Sequence, residues 1–224
     1  MYSKSSLQKS INLKRFFQKL DNKGSLLIPN NLKITDTDFY KYRHLPVNWE
    51  INPVTGKDLP DEFSAKAVKL VDLFRRKTFD LDYEIMLFFD YITGELIYCF
   101  VNDKGNSNEV FGIADENIFE CRHIASIHNH PHDYLPALSF DNFQMLSFDF
   151  EEYELVSSFD SLWILKFKSS LPPEEVNDIK KDIKFLYEFS IVGNRFDCEI
   201  YEKLLINYIN NLKFDINLTK RCLS

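Results

Sequence analysis

The stretch SIHNHPHDYLPALSFDNF, residues 126–143, decides how the rest of the chain is read. It opens on the end of a short, largely apolar run, HIASIH (123–128), which has the character of a buried strand. Four of the five histidines, His123, His128, His130 and His132, fall within ten residues. His128 and His130 are one residue apart at the end of the strand. Alternate strand residues point to the same side, so both imidazoles can face one ion. Pro131 stops the strand and turns the chain away, and Ser139 is placed as the N-cap of a helix running to about residue 149.

Two imidazoles and a carboxylate from the first turn of that helix make a three-ligand set. The fourth tetrahedral position is then left to water, the pattern of a catalytic zinc site. Zinc lowers the pKa of that water to about 7, which makes hydroxide available at neutral pH. A histidine-rich loop can also be plain polar surface. The conjunction of strand, HNHP, proline-containing loop and Ser–Asp helix start favours the metal. The contiguous letters H-N-H do not make an HNH nuclease, whose three residues are spread through a ββα unit.

Outward from this stretch, YEIMLFFD (83–90) and ELIYCFV (95–101) flank the turn YITG and predict a β-hairpin. NEVFGI (108–113) predicts a further strand, and YELVSSF and LWILKF predict two more around Asp160-Ser161. Asp61 opens a helix with Phe63, Ala67, Leu70, Val71 and Phe74 on one face. From Pro172 the pattern is helical, with a break at Val192-Gly193-Asn194 and a last helix at 198–213. Near the start, Leu13, Phe16, Phe17 and Leu20 recur at helical spacing. Residues 25–60 are irregular and proline-punctuated. The expected fold class is α+β, an α/β sandwich with one mixed β-sheet flanked by helices. An N-terminal helix and arm (1–60) precede a main domain (61–224). Trp163 reads as core, as do Cys99 and Cys121, and His44 as a packing or surface residue.

The 224 residues are 45% hydrophobic and 27% charged, enough for a packed core. A net charge of −7 argues against nucleic acid as a partner, since such binding runs on neutralised phosphates. The four cysteines lack CxxC spacing, and the expected compartment is the reducing cytoplasm. No signal peptide and no run of 18 apolar residues is present, so no membrane association is expected.

SIHNHP followed by Ser139 and Asp141 resembles the JAMM (MPN, or JAB) metallopeptidase signature, H-x-H, seven residues, then S-x-x-D. HNHP is especially similar to the RadC-like and phage-associated prokaryotic branch. The resemblance covers roughly residues 80–168 and implies the cytidine-deaminase-like MPN fold. It implies zinc as cofactor, with His128, His130 and Asp141 as ligands; Asp141 lies eleven residues after His130 (141 − 130). It also implies a glutamate general base on an upstream strand. Glu84 is the candidate and Glu95 the competitor, with Glu109, Glu116 and Glu120 behind them. Ser139 becomes a candidate for holding the scissile carbonyl, and His132 and Asp133 belong to the loop.

The chain departs from the signature at the serine, because strict spacing puts Leu138 there. If the loop is one residue longer, Ser139 becomes the family serine and Asn142 takes the aspartate position. Charge favours Asp141. The implied activity is zinc-dependent hydrolysis of a peptide or isopeptide bond in a protein or peptide substrate. The alternative is a catalytically inactive MPN-like scaffold.

Overall fold

The computed structural model describes residues 51–79, 84–101, 122–130, 138–158, 160–193 and 195–223, with side chains of 98–101 excluded. The helix expected over 5–20, His44, the strand expected at 108–113, Cys121, His132, Asp133, Glu109, Glu116 and Glu120 lie outside these residues, and so does the Cys99 side chain.

The described chain begins with helix α1 (Ala65–Thr78). Its start is four residues later than Asp61, because residues 61–63 form a turn and Ser64 is the cap, its hydroxyl accepting from the Ala67 N–H at 3.2 Å. Strands β1 (Ile85–Asp90) and β2 (Leu96–Val101) form the expected hairpin. Gly94 closes that turn with φ +69°, and a Cβ there would fall 2.4 Å from the Cβ of Lys66 on α1.

After β3 (Ile124–Asn129) comes a 3-10 helix (Asn142–Ser147), in place of the longer helix expected from Ser139. Then follow β4 (Glu151–Ser157), β5 (Ser161–Phe167) and helix α2 (Pro173–Phe189). The small hairpin β6 (Ile191–Val192) and β7 (Arg195–Phe196) sits at the expected break. Helix α3 (Cys198–Asn210) and strand β8 (Ile216–Cys222) end the chain, β8 being a strand the sequence reading did not anticipate.

The six-stranded sheet has the order β2-β1-β3-β4-β5-β8, with β3 and β4 parallel and every other pair antiparallel. The fold is thus a mixed sheet flanked by helices. Its central strands are buried on both faces, which explains their near-continuous apolar runs.

On one face Ile85, Leu87, Phe89, Ala125, Ile127 and Leu155 pack under α1, together with Val54 and Leu59 from the end of the arm. On the other face Met86, Phe88, Ile124, Val156, Trp163 and Leu165 pack under α2, α3 and the 3-10 helix. Trp163 is fully buried there, as expected. His128 shares the second face with Ile124 by strand parity.

Candidate functional site

The site lies at the carboxyl end of β3, between β1 and β4. His128 and His130 are both buried, their ring centroids 5.2 Å apart and tilted by 45°. The His130 N–H donates to the Ser157 carbonyl at 2.9 Å, which carries the parallel pairing past the strand end and keeps both imidazoles on one side. Asn129 between them turns to the other side and is fully buried. Its Oδ1 accepts from the Ile85 N–H at 2.8 Å, tying the end of β3 to the start of β1.

Asn142, not Asp141, is brought to His128. The Asn142 Nδ2 stands 3.0 Å from His128 Nε2. Asp141 is turned outward, its side chain 68% exposed and paired with Lys180 at 3.4 Å. Of the two positions weighed from the sequence, the turn at 139–142 thus points Asn142 inward and Asp141 outward. Ser139 holds that turn, its backbone N–H and hydroxyl both donating to Asn142 Oδ1, at 2.7 and 3.1 Å. The hydroxyl therefore orients Asn142, and no side-chain cap of the 3-10 helix forms. Behind the turn, the buried Tyr201 hydroxyl of α3 donates to the Leu138 carbonyl at 2.7 Å.

Glu84 is buried just before β1. Met86 pairs with His128, so two residues further back along the antiparallel register Glu84 comes level with His130. Glu95 sits at the opposite end of the sheet, by the β1–β2 turn, and pairs with Arg122 at 3.1 Å.

Sequence reasoning missed two acids that belong to this face. Glu154 pairs with Ser126 in the β3–β4 register, and its Oε1 lies 3.6 Å from His128 Nδ1. Glu151 reaches the same face because the register slips by one residue between Ile124 and Ala125, leaving Glu152 as the extra residue of a bulge. Both are buried: neither oxygen of Glu151 nor Oε2 of Glu154 has a hydrogen-bond partner of ordinary geometry, although Ser126 lies beside Glu151. Burial drives the Glu151 carboxyl up to about 8. It also drives the Glu154 carboxyl well above its usual range, helped by the charges of Glu151 and Glu84. Burial, then the neighbouring His130, holds His128 well below the ordinary imidazole value, so His128 is neutral. The one signal for these acids was their position: a glutamate inside a strand with no solvent face must be buried.

Among the described residues, no three His, Cys, Asp or Glu side chains are grouped to hold a metal. The nearest set is two imidazoles and the Asn142 amide. The two imidazoles offer nitrogen donors to a divalent ion, whereas the Asn142 oxygen is held by the Ser139 N–H and hydroxyl and its NH2 faces His128. Asn142 would serve as a neutral third donor only with its amide turned over, and the set is one carboxylate short of the implied one. No protein-family model, no curated protein and no solved structure matches the chain.

Proposed function

We propose that this chain is a metal-dependent hydrolase of the JAMM type, cleaving a peptide or isopeptide bond in a protein or peptide substrate in the cytoplasm. The observation that carries this reading is the convergence of buried His128 and His130 with Glu84 at the end of β3. Solvated histidines would be indifferent to burial; these two are held on one side of the chain by Asn129 and Ser157. Zinc, when bound, would supply an acidified water. His128 and His130 would hold the ion, with Asn142 as a neutral third donor once its amide turned its oxygen inward. Glu84 accepts the proton of the attacking water and delivers it to the leaving amine. Ser139 orients Asn142 and thereby sets the shape of the site.

No described helix is long and apolar enough to cross a membrane, and a net charge of −7 disfavours nucleic acid. The test is zinc content by elemental analysis after reconstitution, beside cleavage of peptide and isopeptide substrates. Glu84→Gln is expected to keep the metal and lose about 10²–10⁴-fold in rate. No zinc in the wild-type protein removes the hydrolase reading.

Asn142 favours a second reading, a catalytically inactive MPN-like scaffold. Its Nδ2–H satisfies the His128 lone pair without any ion. In that case the histidines are structural, and reconstitution leaves the protein metal-free.

A further inference from the structure

The hydrogen-bond directions around His128 follow one from another. A backbone N–H can only donate, so the Ser139 N–H fixes the oxygen of the Asn142 amide on its own side. The amide nitrogen then faces His128, and it too can only donate. His128 Nε2 must therefore present a lone pair. In a neutral imidazole the remaining hydrogen sits on Nδ1, and Nδ1 faces Glu154 Oε1 at 3.6 Å. That separation is an electrostatic contact, longer than an ordinary hydrogen bond. Glu154 is 2% exposed, so no water competes for the same hydrogen from outside.

We propose that Glu154 is a positioning residue: it holds His128 as the Nδ1–H tautomer and so keeps the Nε2 lone pair aimed at the site. The chain runs in one direction, from the Ser139 amide through Asn142 and His128 to the Glu154 carboxyl. Reversing any link leaves a buried donor facing a donor. The tautomer is a property of the metal-free protein. Its consequence for zinc rests on the hydrolase reading, because Nε2 is the nitrogen that would bind the ion, and a second residue behind a ligating histidine typically sets about 10–100-fold in affinity.

The experiment is side-chain nitrogen NMR of the 15N-labelled, chelator-treated full chain, comparing wild type with Glu154→Gln and Glu154→Leu. The wild type is expected to show His128 with a protonated Nδ1 and a bare Nε2. Gln keeps an acceptor oxygen and should preserve this pattern. Leu removes it, and the single tautomer should be lost. A wild-type Nε2–H form, or an unchanged pattern in a folded Leu variant, overturns the proposal. Should the Leu variant not fold, Glu154→Ala, which also removes the acceptor, is read in the same spectrum. Loss of the single tautomer supports the proposal, and an unchanged pattern overturns it. If the wild type binds no zinc, the hydrolase reading fails, and the decision passes to the wild-type tautomer, where Nδ1–H supports the proposal and Nε2–H overturns it.

Discussion

Asn142 Nδ2 stands 3.0 Å from His128 Nε2, so a neutral amide, and no carboxylate from the 139–142 turn, faces the buried imidazole. Asn142→Asp restores the charge and removes the donor. A unit charge about 4 Å from another contributes about 4 kcal/mol at an effective dielectric of 20, so a rise of at least about tenfold in zinc affinity is expected. Without metal the same variant leaves the His128 lone pair facing an acceptor. Its metal-free stability should drop by about 1–3 kcal/mol. Calorimetric zinc titration and chelator-treated denaturant unfolding read the two effects separately. Unchanged values in both would show that the 142 side chain does not face the histidine.

Asp141 gives the complementary test. Its side chain is exposed and pairs with the partly exposed Lys180, so the pair is of the kind worth about 0–1 kcal/mol. Asp141→Ala should leave zinc content and unfolding midpoint near wild type, while Asn142→Ala lowers zinc content. Loss of metal in the Asp141 variant instead would mean that the turn at 139–142 adopts the other phase.

These two neighbours show how far the sequence could be read. The strands carrying the site were legible, because β-branched and aromatic runs around YITG and before HNHP have few other uses. The pair His128 and His130 was legible from alternation alone. The third position was not. Its phase is set by the turn at 139–142, and charge, the only local criterion, selects the residue that this turn points outward. Glu154 was illegible for a different reason: it meets His128 only because β4 pairs parallel with β3, a contact between chain segments that no local pattern encodes. Strand β8 likewise follows from its pairing with β5, since INLTKRC by itself lacks apolar weight.

Gly94 anchors the hairpin that carries Glu84 at its far end. Its φ of +69° is strained for any residue with a side chain, and a methyl group there would collide with Lys66 Cβ and the Ala67 nitrogen. Gly94→Ala should cost about 1–3 kcal/mol in denaturant unfolding. A neutral result would mean that α1 yields at its first turn without loss.

The buried acids give the protein an unusual pH profile. Glu151, whose carboxyl would ordinarily titrate near 4.5, is pushed up to about 8 in the fold by burial. Between those values the native state holds a proton that the unfolded chain has released, so raising the pH favours unfolding, by up to about 1.4 kcal/mol per pH unit. Glu154, also raised by burial, acts in the same direction. His128 is lowered and acts the other way, but only below its ordinary value of 6.5, where the unfolded imidazole takes up a proton. Glu62, lowered to about 2 chiefly by Lys166, matters only in stronger acid. Stability should therefore fall as pH rises from about 5 to 8, most steeply above 6.5. Glu151→Gln should flatten that fall by one group's share. Metal-free unfolding free energies across the range, for both proteins, provide the check. A wild-type stability that rises with pH, or an identical slope in the variant, would show that the Glu151 carboxyl is hydrated or paired.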